Sequence, residues 1–215
     1  MGVPIERLTA APGVTDPEPF AGPDHPMRKL TRAVAFDGEW TPDRAAKVSA
    51  LFDGMAAEWA ARLHSSKLAP VIDALDRGGV ARGGRWLELG SGTGAGTSVL
   101  AEQFEAVIAL DLSRQMLLHA PGHLAPRVQG DASSLPFAAG TFRGVLILNM
   151  LLFPAEVTRV LAPDGVVVWV NSLGDQTPIH LPVEEVLEVF GPGWTARTAD
   201  AGTGFWATLR RDVLR

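Results

Sequence analysis

Trp86-Leu87-Glu88-Leu89-Gly90-Ser91-Gly92-Thr93-Gly94-Ala95-Gly96 is the stretch that decides the fold of this chain. A short apolar run carries one acidic residue and then meets four glycines at alternate positions. Glycine lacks a Cβ, so the backbone turns sharply there and can bring its N–H groups against a ligand. A helix starting just beyond would add its own free N–H groups and the positive end of its dipole. The stretch therefore reads as a strand, a loop and a helix arranged around the nucleoside end of a cofactor.

Outward from this point, strand and helix alternate. The pattern predicts strands over 85–89, 106–110, 127–129, 144–148 and 166–170, with helices over 97–103, 156–161 and 183–190. Two final strands over 194–198 and 204–209 are joined by a tight glycine-bearing turn. Such alternation implies an α/β fold with a doubly wound, mostly parallel sheet. Upstream, Pro4, Pro12, Pro17, Pro19, Pro23 and Pro26 mark an irregular arm, taken to extend over 1–42. Residues 43–80 read as N-terminal helices, the first carrying Val48, Leu51, Phe52, Met55, Ala56 and Trp59 as one apolar stripe. Residues 81–215 form the α/β domain.

Composition narrows the function. The chain has 215 residues, 47% of them hydrophobic, enough for one sizeable core. No apolar run is long enough to span a bilayer, and no basic start leads into an apolar leader. There is no cysteine, which excludes disulfides and thiolate metal sites and fits a cytoplasmic enzyme. The net charge is −5 and no Lys/Arg-rich block occurs, so neither nucleic acid nor a membrane surface is an expected partner. Tyrosine is absent, and lysine is confined to Lys29, Lys47 and Lys67. His119 and His123 are four apart, but Pro121-Gly122 between them prevents a shared helical face, so no metal site is expected.

Three carboxylates fall at predicted strand ends: Glu88, Asp111 and Asp131. In an open parallel sheet, ligands bind outside the carboxyl ends of the strands, where the strand order reverses. Asp111 lies about twenty residues past the first loop glycine, the place from which a carboxylate accepts hydrogen bonds from a ribose diol. Asp131 would reach an adenine amino group, with Leu112, Met116, Leu135 and Phe137 around the base. Each feature has a plain structural alternative: a tight strand–helix connection for the glycines, a helix cap for Asp111, a turn for Asp131. Gly90, Gly92 and Ala95 also satisfy the dinucleotide fingerprint. Against NAD stand the short tail after the fifth strand and the lack of any necessary role for Asp131. The alternatives are thus a nucleotide-binding enzyme of the NAD type, or a module that binds its cofactor without turnover.

At this point the sequence resembles a known family. Glu88-Leu-Gly-Ser-Gly-Thr-Gly94 is similar to the first motif of class I S-adenosylmethionine-dependent methyltransferases. Asp111 within Ala-Leu-Asp-Leu-Ser matches their acidic residue at the second strand. Gly130-Asp131-Ala132 followed by Leu135-Pro136-Phe137 matches their adenine-contacting segment. Arg159-Val-Leu-Ala-Pro-Asp-Gly165 resembles the turn before the fifth strand, with Asp164 in place of a usual glycine. The resemblance implies a Rossmann-like, seven-stranded sheet whose last strand is antiparallel, and S-adenosylmethionine as cofactor. It implies that Gly90, Ser91, Gly92 and Gly94 approach the methionine and ribose part, with Glu88 near the methionine amino group. It places Asp111 on the ribose, Asp131 and Ala132 at adenine beside Leu112 and Met116, and Asn149 facing the sulfonium and the acceptor.

The expected reaction is methyl transfer to a nucleophilic N, O or C of a small molecule. Candidate bases are His180 and Asp175, in the loop after the fifth strand, and His64 at the end of the amphipathic helix. That helix has two readings. It packs on the sheet, or it forms a lid with Phe52 and Trp59 over cofactor and acceptor. The oligomeric state is not legible in the sequence.

Overall fold

A computed structural model describes residues 5–17, 24–61 and 65–212. Among them eight strands form one sheet: β1 (Ile5–Arg7), β2 (Arg85–Leu89), β3 (Ala106–Asp111), β4 (Arg127–Gln129), β5 (Phe142–Leu148), β6 (Leu161–Asn171), β7 (Trp194–Ala201) and β8 (Gly204–Arg211). Their spatial order is β1-β7-β8-β6-β5-β2-β3-β4. Only β8 runs antiparallel to its neighbours, β6 and β7. The helices are α1 (Pro26–Asp37), α2 (Pro42–Ala61), α3 (Ala69–Arg77), α4 (Ala95–Gln103), α5 (Arg114–His119), α6 (Pro154–Val160) and α7 (Val183–Phe190).

The core follows from the period of two in a strand. Leu87, Leu89, Val145, Ile147, Val167 and Trp169 join the cluster on one face of the sheet. Trp86, Leu146, Val166, Val168 and Val170 join the cluster on the other. Strands buried on both faces read as near-continuous apolar runs, as β5 and β6 do. Truncating a fully buried leucine such as Leu87 to alanine should cost about 2–5 kcal/mol. Trp86 lies opposite Gly144 on β5 and stacks on Phe104 with ring centroids 4.3 Å apart. A Cβ at Gly144 would collide with the Trp86 indole, so this glycine is required by close approach.

The seven-stranded, doubly wound sheet with an antiparallel final strand is as expected, and β1 adds an eighth strand. It pairs with β7 in parallel, Ile5 against Ala196 and Arg7 against Thr198. Three residues are too few to show a period, and their partner lies at the far end of the sequence. The arm to residue 42 is therefore not irregular throughout. Besides β1 it contains α1, whose first turn holds Pro26 and whose N-cap His25 accepts from Met27 N at 3.1 Å. Gly38, at φ 65°, closes that helix. The count of prolines masked a start in which proline at the first helical position is favourable.

The predicted stripe on α2 is only partly used. Ala45 and Ala56 are buried, whereas Leu51 and Trp59 are 48% and 45% exposed. Instead, α2 grips the domain through polar side chains.

Candidate cofactor and acceptor site

Strand β2 has β3 on one side and β5 on the other, so the connections reverse direction between β2 and β5. This is the topological switch point at which doubly wound sheets bind ligands. The loops that leave β2 and β5 touch there. Gly90 has φ +68°, and a Cβ on it would stand 2.7 Å from the Met150 sulfur.

The loop's amides point inward, contrary to the expectation that they face a ligand. Gly90 N and Ser91 N both donate to Leu110 O, at 2.9 and 3.0 Å. Gly92 N donates to Asp111 Oδ2 at 2.7 Å, and Gly94 N to Ser91 O at 2.9 Å. What the loop offers outward is space and a helix end. Gly92, at φ +54°, has nothing within 4 Å of where a Cβ would stand. Gly94 caps α4 without a side-chain hydrogen bond of its own. Ser91 Oγ is buried with no partner.

Glu88 lies beneath this loop. It is 1% exposed, and the Thr97 hydroxyl and N–H both donate to its carboxyl. A Cβ at Gly96 would strike Glu88 Oε1, so Gly96 admits the carboxyl beneath the start of α4. Burial pushes the Glu88 carboxyl up to about 8, and nearby Asp111 adds to the rise.

Asp111 ends β3 and is 9% exposed. Its Oδ1 accepts from Ser113 N at 2.8 Å while its Oδ2 holds Gly92 N, so one carboxylate braces both the glycine loop and the entry to α5. Each oxygen keeps a lone pair for a further donor. Burial raises the Asp111 pKa, and the two amides oppose that rise. Leu112 is half-buried and Met116 is 2% exposed on the first turn of α5. Helix α2 reaches this same corner: Asp53 Oδ1 accepts from Ser113 Oγ at 2.5 Å and from Gln115 N at 2.9 Å. The bond from Ser113 is the main cause of the lowered Asp53 pKa. Ser49 Oγ donates to Leu112 O at 3.4 Å.

Asp131 sits beside Asp111 because Gly130 N donates to Asp111 O at 3.0 Å. Its Oδ1 accepts from Ser133 N at 2.8 Å, and buried Ala132 lies between them. Trp40 Nε1 also donates to Asp131, at 3.1 Å to Oδ1 and 2.9 Å to Oδ2. Trp40 precedes α2 and meets Phe153 edge-on, ring centroids 5.4 Å apart. Around it, Val34 of α1 packs with Leu151 and Ile179, so α1 covers the loops after β5 and β6.

Asn149 follows β5 with φ 50°, the only non-glycine residue with positive φ among those described. Its Nδ2 donates to Ser172 Oγ at 2.7 Å, and its Oδ1 accepts from Ser172 N at 2.9 Å. The side chain is thus committed to Ser172, just past β6, and the Asn149 N–H donates to Val170 O at 3.0 Å. His180 rests against Phe205, 5.5 Å between centroids, with its Nδ1 unpartnered. Burial, and then Arg28, lower its pKa to about 4. The Asp175 carboxylate is exposed and bonds to Gln176 rather than to His180, while Arg28 holds the Asp175 carbonyl at 2.6 Å. Phe52 and Trp59 pack on one another edge-on at 6.4 Å. His64 lies outside the described residues.

The structure therefore brings Gly90–Gly94, Asp111, Leu112, Asp131 and Asn149 to one edge, and shows no hydrogen bond between His180 and Asp175. Sequence reasoning missed Trp40, Ser49, Asp53 and Ser172. Ser49 and Asp53, four apart on α2, carried a legible signal: a polar pair on one helical face, overlooked beside the apolar stripe.

A doubly wound sheet with one antiparallel strand, a glycine loop at its switch point and an aspartate closing the next strand is the architecture of class I S-adenosylmethionine-dependent methyltransferases. Residues 87–169 match the family model of the methyltransferase domain. Relatives include the biotin biosynthesis bifunctional protein BioHC of Cellvibrio japonicus, 33% identical over 162 residues, or 70% of this chain and 30% of that protein. Another is the demethylmenaquinone methyltransferase of Corynebacterium urealyticum, 37% identical over 93 residues, or 40% of each chain. The chain thus spans less than half the length of these relatives. A DhpI–SAH complex shares the fold with a TM-score of 0.64 at 24% identity, over 79% of this chain and 98% of that one. The residues here suit the cofactor: a buried Ser91 hydroxyl without a partner, open space over Gly92, and the Asp111 carboxylate beside the start of α4.

Proposed function

We propose that the protein transfers a methyl group from S-adenosylmethionine to an N, O or C nucleophile of a small molecule. The observation that carries this reading is Asp111. It braces the glycine loop through Gly92 and the α5 entry through Ser113, and still has acceptor capacity at the sheet edge. Asp111 would hold the ribose hydroxyls, Gly90, Ser91, Gly92 and Gly94 would line the methionine side, and Asp131 and Ala132, with Leu112 and Met116, would take adenine. Glu88 acts through α4, fixing the loop from below. When bound, the cofactor supplies a methyl group on a sulfonium, ready for displacement by a lone pair of the acceptor. The chain's own part is to orient the acceptor and exclude water.

Helices α1 and α2 do the excluding, as a lid pinned by Trp40 on one side and Asp53 on the other. Phe52 and Trp59 belong to its outer half. Asn149, locked by Ser172, would set the wall beside the reacting atoms. His180 and Asp175 are the bases on offer for an acceptor that must lose a proton. His180 is neutral at pH 7, and the burial that keeps it so also weakens it as a base. The demethylmenaquinone and biotin-pathway names of the relatives support a small-molecule acceptor.

Calorimetry with S-adenosylhomocysteine and with NAD tests the cofactor assignment. Binding of the first alone is expected, and binding of NAD alone would overturn the reading. Transfer of a labelled methyl group to a small-molecule acceptor then separates an enzyme from a binding module.

A further inference from the structure

Helices α1 and α2 diverge around a cavity of about 400 Å³. Leu30, Ala33 and Val48 give it an apolar floor, and Lys29, Arg44 and Lys47 stand around it. The chain has only three lysines and a net charge of −5, yet two of the three lysines line this one cleft. The single carboxylate in the lining, Glu39, is taken by Arg44 at 2.9 Å. Neither lysine is paired with a carboxylate among the described residues. Two free ammonium groups over an aliphatic floor, in an otherwise acidic protein, are a mismatch that an anion with a hydrocarbon body would resolve.

The position of the cleft ties it to the site. Leu30 also packs on the cluster of Val34, Leu151 and Ile179, next to the loop that follows Asn149. Val48 adjoins Ser49, which holds the Leu112 carbonyl beside Asp111. The volume lies in the range of small-molecule pockets. Resting on the methyltransferase reading above, we propose that this cleft anchors the acid group and apolar body of the methyl acceptor, an organic carboxylate. An inorganic anion would leave the floor unused, and a neutral hydrocarbon would leave the lysines unpaired.

The test uses the whole chain. Binding of octanoate, octan-1-ol and inorganic phosphate is measured by calorimetry for the wild type and for the double variant Lys29→Gln/Lys47→Gln. Octanoate should bind at least about tenfold more tightly than the other two, and the double variant should lose at least about tenfold of that affinity. Both lysines are exposed, so S-adenosylhomocysteine affinity should stay within about twofold, which reports an intact fold. Labelled-methyl transfer is then run on medium-chain and aromatic carboxylic acids that carry a second nucleophile, a hydroxyl or an amine, at the end remote from the acid, and on the matching primary amides. Product from the acids alone is expected, with KM raised about tenfold and kcat unchanged in the double variant. Octanoate that fails to bind, or binds the double variant equally well, overturns the cleft. Amides methylated as readily as acids overturn the acceptor assignment. If the wild type fails to bind S-adenosylhomocysteine, the function falls, while octanoate binding still decides the cleft by itself.

Discussion

Trp40 donates its indole N–H to both carboxylate oxygens of Asp131, at 3.1 and 2.9 Å, across a sequence separation of 91 residues. The group proposed to receive an adenine amino group is therefore already engaged by the residue just before α2. Adenine must share or displace that donor, and Trp40 is the natural reporter of its arrival. Saturation with S-adenosylhomocysteine should shift the tryptophan emission of the wild type. Trp40→Phe should lose the shift, and Trp59→Phe should keep it, because Trp59 is 45% exposed on the outer face of α2. A shift that survives Trp40→Phe contradicts this arrangement.

Replacing Asp111 by alanine removes the acceptor for Gly92 N and Ser113 N together. Hydrogen bonds to a charged group contribute roughly 1.5–3 kcal/mol each. Affinity for S-adenosylhomocysteine should fall by at least about tenfold, and the melting temperature should fall with it. Tight binding retained in Asp111→Ala speaks against the ribose assignment.

Glu88 makes stability depend on pH with a definite sign. Its ordinary value is 4.5 and burial lifts it to about 8, so between these values the folded protein holds a proton that the unfolded chain has released. Its contribution is greatest at low pH and is lost progressively as pH rises through about 8. Urea unfolding at about pH 6 and about pH 9 should show the wild type weakening while Glu88→Gln, which has no proton to lose, weakens less. Equal slopes in the two proteins would remove Glu88 as the source.

Ser172 holds Asn149 in its left-handed conformation through two hydrogen bonds. Positive φ at a non-glycine residue persists only where its surroundings enforce it. Ser172→Ala should lower kcat several-fold while S-adenosylhomocysteine affinity changes little, because the adenosyl end is proposed to rest on other residues. A loss of cofactor affinity as large as the loss of kcat would assign Asn149 to cofactor binding instead.

Asp53 fastens α2 to Ser113 and Gln115. Asp53→Ala should speed amide hydrogen exchange at Gln115 and Met116 and weaken cofactor binding several-fold. Unchanged exchange would mean that α2 is held by its other contacts.

The strands and the three carboxylates at their ends were legible because each rests on a short-range signal. Val166–Val170 and Leu87–Leu89 announce buried strands by composition, and Gly90 to Gly96 announce the loop by spacing. The destination of the loop's amides was not legible. Their acceptors, Leu110 O and Asp111 Oδ2, come from the neighbouring strand, and only the parallel register of β2 and β3 brings them there. Trp40, Asp53 and Ser172 were invisible for a similar reason. Each acts on a partner 23 to 91 residues away, and nothing in its own surroundings marks it. The stripe on α2 misled in the opposite direction: its spacing is helical, but the helix is fixed by Ser49 and Asp53 and leaves Leu51 and Trp59 facing outward.

The pairing of β1 with β7 has a consequence for synthesis. Ile5–Arg7 emerges from the ribosome long before the strand it needs, which ends at Ala201. The nascent chain must keep this short segment unpaired while the rest of the sheet assembles, and only then does the outer edge gain its final strand.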